Sequence, residues 1–408
     1  MTTTDTSFSV DSIDIQSHDA YAGGPPHDQF EWLRNNAPII RHQGMNDGDI
    51  EWYWALTRYA DVVEVSRQFE TYSSGREGVL IQDRDNMEET RMLVDLDPPD
   101  HTRMRKLVNR GFTPRAIKLM QEHYEDVTRQ LVGQAVDTGQ VEFVTSVAAE
   151  LPLIAIAEMM GIPVDDRSKV FDWSNRMIAI SDGDYSGGLD DAAAAATELY
   201  VYAEELAADR RANPRDDIIS ILVAAEGNDS LSEHEFNMFV LLLAVAGNET
   251  TRNAISHGVL ALTEHPDQWQ LLKDDPSLIN GAVEEILRWS TPVNVFRRVA
   301  TCDVEVHGQT ISEGDSVAMF YASANRDDRV FDDPYRFDIT RDPNLHVTFG
   351  GGGPHFCLGA NLARLEMRAL FSELVARCDH MELAGEVRRL RSYFINGIKE
   401  LPVTLVPA

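Results

Sequence analysis

The chain is poor in cysteine, with three among 408 residues, at positions 302, 357 and 378. So few, so far apart, cannot build a disulfide framework, and they point to a reducing, cytoplasmic setting. They do not make a zinc site either, because the sequence holds no CxxC or HxxxH pair. Positive charge is also scarce: 36 Lys and Arg stand against 67 Asp and Glu, a net charge of −31. Such a surface repels nucleic acid and anionic membranes, which excludes functions that depend on either. Long apolar runs are missing. The densest, FVLLLAVA from Phe239 to Ala246, falls well short of the ~20 residues that a bilayer helix needs. The opening MTTTDTSFSVDSIDIQ has neither a basic start nor an apolar run, so it reads as neither a leader nor an anchor. There are no repeats and no low-complexity blocks.

What is present reads as helix. The stretch LSEHEFNMFVLLLAVAGNETTRNAISHGVLALTEHP begins with a capping box, Ser232 and Glu235, and ends before Pro266. Phe236, Phe239, Val240 and Leu243 keep helical spacing, so one long helix crosses the domain here. Helical patterns also cover Pro114 to about Leu222, Leu278 to Ser290 and Ala360 to Arg377. Alternation in IEWYWAL and in VATCDVEVHGQTISEGDSVAMFYA marks strands. The expected fold is mostly α with a minor β part. Residues 1–15 are expected to be loose, and 16–408 to form one domain.

The segment FGGGGPHFCLG, Phe349 to Gly359, carries the chemistry. Four glycines suggest a phosphate loop, but Pro354 and His355 stand where a P-loop needs Lys and Ser or Thr. Three readings of Cys357 remain. It is a nucleophile activated by the following helix N-terminus with His355 as base, a buried structural residue, or a thiolate ligand to haem iron. The last also accounts for the glycines, which let the backbone approach a porphyrin face, and for N–H groups aimed at the sulfur.

FGGGGPHFCLGANLAR resembles the haem-binding signature of the cytochrome P450 monooxygenases, with one extra residue between Phe349 and the cysteine. Other motifs follow the family's order along nearly the whole chain. The resemblance implies haem b ligated by Cys357, with Gly359 and Ala246 against it. It implies propionate contacts from His101 and Arg105 in DPPDHTRMRKL, from Arg298 in VFRRVA, and from His355. AGNETT resembles the family's oxygen-binding groove. There Gly247 would let dioxygen approach, Thr250 would hydrogen-bond it, and Glu249 would relay protons. EEILR resembles the ExxR motif, so Glu285, Arg288 and a third partner, Arg336 in DDPYRF, would form a structural triad behind the cysteine loop.

By family position the substrate pocket would involve Val79, Leu80, Met177, Val245, Ala246, Val293, Val295, Phe296 and Phe394. These are apolar, which suits a hydrocarbon. The resemblance to actinobacterial members acting on methyl-branched lipids and sterol side chains implies ω-hydroxylation of such a chain. A compact terpenoid or polyketide ring is the alternative substrate. Electrons would come from NAD(P)H through a ferredoxin reductase and a small acidic ferredoxin, steered by Arg103, Lys106, Arg110, Arg364 and Arg368. A monomer is expected. A non-enzymatic haem sensor or carrier would lack the acid–threonine pair, and a cysteine hydrolase would carry no haem.

Overall fold

The computed structural model describes residues 8–46, 48–83, 91–178, 182–184, 187–227 and 230–408. Helices dominate. The main sheet has five short strands. Ile39–Gln43 pairs antiparallel with Trp52–Leu56, which runs parallel to Ser316–Phe320. Val295–Ala300 adds antiparallel to that strand and carries Tyr72–Ser73 on its far edge. Side chains alternate across it. Ile40, Tyr53, Val295 and Phe320 pack with Ile15, Phe30 and Leu33. Ile39, Trp54, Val317 and Met319 pack with Val62 and Val65 of the helix Tyr59–Arg67. Beside the sheet, Val304–Val306 and Gln309–Ile311 form a hairpin whose turn places His307 and Gly308 at φ of 50° and 77°.

The segment expected to be loose, 1–15, is described only from residue 8 onward. Residues 1–7 lie outside the described residues, whereas Ile13 and Ile15 are buried against the sheet.

The long helix runs Glu233–Glu264. The capping box forms as the sequence predicts: Glu235 N donates to Ser232 Oγ at 3.1 Å, and Ser232 N to Glu235 Oε2 at 2.8 Å. Every residue from Thr251 to Leu262 is buried. A helix covered all round lies inside the molecule, and its neighbours here are the helices Glu150–Met160, Arg167–Ile178, Leu189–Ala212 and Ile279–Ser290. The helix Ala360–Arg377 follows the cysteine loop and packs on Pro114–Thr138. All three cysteines are free.

Candidate active site

A cavity of about 260 Å³ lies beside the central helix. One wall is the central helix, through Phe239, Leu242, Leu243, Ala246, Gly247 and Thr250. Opposite stand the cysteine loop, His101 and Arg105 of the helix Asp100–Val108, and Phe296 and Arg298 of the strand Val295–Ala300.

The glycine run has two causes in the structure. Gly350 and Gly352 sit at φ of 97° and 101°, where a side chain is strained. A Cβ on Gly351 would come within 2.8 Å of the Val63 Cα in the helix Tyr59–Arg67. The loop therefore folds tightly against that helix, and the backbone of Gly350 and Gly352 is left facing the cavity. Cys357 N donates to Phe349 O at 2.9 Å, which closes the loop, and the cysteine opens onto the cavity. Burial pushes its thiol up. The Gly359 amide, the Arg105 and Arg364 cations and the Ala360 amide all pull the other way, toward thiolate.

Four basic groups converge on one wall. The His101 and His355 rings lie 4.3 Å apart, and His355 Nε2 is 3.1 Å from Ser74 Oγ. Burial, with Arg105 close by, lowers His101 to about 4; burial, with Arg298, His101 and Arg105 close by, lowers His355 to about 2. Arg105 donates to Phe356 O at 2.6 Å and Arg298 to Arg297 O at 2.7 Å, but no carboxylate of the described residues ion-pairs with either. His101 Nδ1 is buried without a partner. A Cβ on Gly359 would stand in open space. This surplus of unspent donors beside a free thiol fits a flat group with two carboxylates and a metal that takes sulfur. The residues present therefore fit haem.

In the groove, Thr250 faces the cavity, with its hydroxyl donating 2.9 Å back to Ala246 O. Gly247 also serves packing, since a Cβ there would lie 2.8 Å from Ile156 Cγ1. Glu249 is off the cavity wall. It is 1% exposed, ion-paired with Arg252 and bonded by Asn253 Nδ2 at 2.9 Å.

Of the expected pocket residues, Val79, Ala246, Val293 and Phe296 line the cavity, while Leu80, Met177, Val245, Val295 and Phe394 do not. Alternation explains the strand positions. Phe296 and Arg298 face the cavity, so Val295 must face the sheet's other core. Val79 points inward, and its neighbour Leu80 is half-buried elsewhere. Phe394 packs behind Phe296, ring centres 5.6 Å apart.

The ExxR pair is bidentate and fully buried, with Arg288 Nε and Nη2 at 2.8 and 2.7 Å from the Glu285 oxygens. The third partner is Arg341, whose Nε lies 3.2 Å from Glu285 Oε2. The expected Arg336 contributes only its carbonyl to Arg288, while its side chain is 61% exposed and reaches Asp338. The triad steadies the cysteine loop through Asn325. Arg288 holds the Asn325 carbonyl at 2.9 Å, and the Asn325 amide holds Val347 N at 2.8 Å and Thr348 Oγ1 at 3.0 Å.

A family model, "Cytochrome P450", matches residues 177–393, more than half of the chain. The chain belongs to the cytochrome P450 family. A Steroid C26-monooxygenase of Rhodococcus jostii is 45% identical over 96% of this chain and 84% of its own. A Methyl-branched lipid omega-hydroxylase of Mycobacterium tuberculosis is 42% identical over 92% of this chain and 90% of its own. Among solved structures, a Mycobacterium marinum cytochrome P450 in complex with pseudoionone superposes with a TM-score of 0.93, at 39% identity over 98% of this chain and all of that one. This P450 is accordingly a haem-thiolate monooxygenase, an oxidoreductase that uses dioxygen and depends on redox partners. Among the described residues no helix is long and apolar enough to cross a membrane.

Three residues at or behind the site escape the sequence reading: Glu366, Arg341 and Ser74. Glu366 lines the cavity, and burial alone raises its carboxyl well above the usual range. Its signal was legible, a lone acid between Leu362, Leu365 and Ala369 on an apolar helix face. No local signal separates Arg341 from Arg336, or marks Ser74 as the partner of His355. Of the expected docking cations, Arg103 is ion-paired with Glu235 and Arg364 with Glu284, Arg368 is half-buried, and Lys106 and Arg110 are exposed.

Proposed function

We propose that this cytochrome P450 hydroxylates the terminal methyl carbon of a branched, apolar chain: a methyl-branched lipid, a terpenoid or a steroid side chain. The observation that carries this reading is the division of the cavity wall. Phe239, Leu242 and Leu243 of the central helix and Val293 and Phe296 across from it form an apolar stretch of the wall, while Arg298 of the same strand belongs with His101, Arg105 and His355. The basic groups are gathered on the propionate side. A hydrocarbon is then bound by shape and burial rather than by polar bonds. The names of the two relatives above, which act on a steroid C26 and at the omega position of a methyl-branched lipid, support the same class.

In this reading Cys357 would hold the haem iron, His101, Arg105, Arg298 and His355 would hold the propionates, and Gly359 and Ala246 would line the space for the ring. Bound haem supplies the activation of dioxygen that the side chains cannot. Thr250 places a hydroxyl at the cavity wall, where it would accept from what binds there and, on turning away from Ala246 O, donate to it. Glu249 supplies protons from behind it. The apolar wall excludes water and holds the chain end in place. Terminal methyl C–H bonds are stronger than those of the next carbon, so position must override reactivity. Electrons come from NAD(P)H through a ferredoxin reductase and a small acidic ferredoxin that meets Lys106 and Arg110. The enzyme works as a cytoplasmic monomer.

The test is incubation of the reconstituted enzyme with a branched fatty acid, a farnesol-type alcohol and cholest-4-en-3-one, followed by mass analysis. A terminal alcohol from at least one is the expected product. No spectral shift and no terminal alcohol from any of them would remove this substrate class and leave the monooxygenase standing.

A further inference from the structure

Glu249 precedes Thr250 on the central helix, yet its carboxylate is clamped away from the cavity. One oxygen, Oε1, takes two donors, the guanidinium of Arg252 and Asn253 Nδ2 at 2.9 Å. The other, Oε2, is buried without a partner. The clamp on Oε1 therefore fixes where Oε2 points.

Both donors are themselves held from outside the helix. Arg252 is 3% exposed, and its Nη1 donates 2.8 Å to Asn175 Oδ1 in the helix Arg167–Ile178. The Phe171 ring of that same helix lies 5.6 Å from its guanidinium carbon. Asn253 Oδ1 accepts from Ile398 N at 3.0 Å. The next residue, Lys399, bonds Asp182 and Asp184, which lie just beyond that helix, at 2.9 and 2.6 Å. The acid is thus connected twice to one segment of the molecule.

We propose that Arg252 is the positioning residue for the Glu249 carboxylate, and that its bond to Asn175 makes that position depend on where the helix Arg167–Ile178 sits. This rests on the reading of Glu249 as the acid behind Thr250. Taking Arg252 away leaves a buried carboxylate with one neutral donor and an uncertain direction. A ligand that shifts the helix shifts the acid with it, so that proton supply answers to occupancy.

The test uses the haem-loaded enzyme with a surrogate ferredoxin and reductase. Hydrogen peroxide formed per NADH oxidised and the D2O effect on NADH oxidation are both measured. Arg252→Gln should raise each about twofold or more, and Arg252→Lys, which keeps the charge, should restore most of the loss. In a Glu249→Gln background Arg252→Gln should add nothing, because it acts through that carboxylate. Amide exchange at Asn175–Ile178 should quicken in both Arg252→Gln and Asn175→Leu. Equal effects of Arg252→Gln in the two backgrounds, or a lysine variant no better than glutamine, would overturn the positioning role. Unchanged exchange at Asn175–Ile178 would overturn the link to the helix. If Glu249→Gln alone changes neither peroxide yield nor isotope effect, the reading of Glu249 itself fails.

Discussion

Glu284 is one of the half-buried groups that brace the cysteine loop, and its contribution can be worked out. It receives Arg364 Nε and Nη2 at 2.6 and 2.7 Å from the helix after the cysteine, and it faces His346 Nε2 at 2.9 Å from the loop before it. Burial alone would raise its carboxyl, but these partners outweigh burial and hold it at about 2, against an ordinary 4.5. At ~1.4 kcal/mol per pKa unit this is about 3 kcal/mol, which solvent screening of a 29% exposed side chain cuts to roughly half. Glu284→Gln should therefore cost about 1.5 kcal/mol in urea unfolding at pH 7. The folded value lies below the unfolded one, so the stabilisation is complete above about 4.5 and disappears as pH falls toward 2. At pH 4 the unfolded carboxyl is largely protonated and the wild type loses about 0.8 kcal/mol of this advantage, whereas the glutamine variant has nothing to lose there. The stability gap between the two proteins should narrow by that amount between pH 7 and pH 4. A gap that is the same at both pH values would refute the assignment of a depressed carboxyl at Glu284.

Three further outcomes follow from the site. Thr250→Ala should still bind substrate but divert reducing equivalents to hydrogen peroxide; an unchanged ratio of product to NADH consumed would make Thr250 structural only. On the proposed reading Arg298→Leu would remove one charge-assisted partner of a propionate, worth about 1.5–3 kcal/mol, so haem transfer to apomyoglobin should quicken about tenfold or more, and an unchanged rate would place the propionate elsewhere. Arg341→Ala should cost about 1–3 kcal/mol in chemical unfolding by leaving Glu285 short of a partner, while Arg336→Ala should stay within ~0.5 kcal/mol. The reverse order would return the triad to Arg336.

The large features were legible because they rest on local rules. The capping box at Ser232 and Glu235, Pro266 and Pro292 that follow the helices Glu233–Glu264 and Ile279–Ser290, and the cysteine loop are short-range patterns, and each stands where its residues place it. The errors are long-range or come from a neglected period. Arg336 and Arg341 occupy the same loop, and only the loop's path decides which guanidinium turns toward Glu285. Val295 could have been set aside from sequence alone: Phe296 and Arg298 share a face of a strand, and Val295 is on the other. The glycine run was read as clearance for a porphyrin, but Gly351 owes its small size to the helix Tyr59–Arg67, a contact nearly 290 residues away along the chain that no local pattern announces. The proton-relay reading of Glu249 left out its partners, although Arg252 and Asn253 directly follow the AGNETT motif. Helical i, i+3 and i, i+4 spacing was enough to pair them.

The central claim is that Cys357, as thiolate, holds the haem iron. The direct measurement is the absorption spectrum of the reduced, carbon monoxide-bound protein, in the wild type and in Cys357→His. The wild type should show the strongly red-shifted Soret band of a thiolate-ligated haem, and the variant should bind haem but lose that band. A wild-type band at the position typical of histidine ligation, or a red-shifted band that survives Cys357→His, would contradict the account.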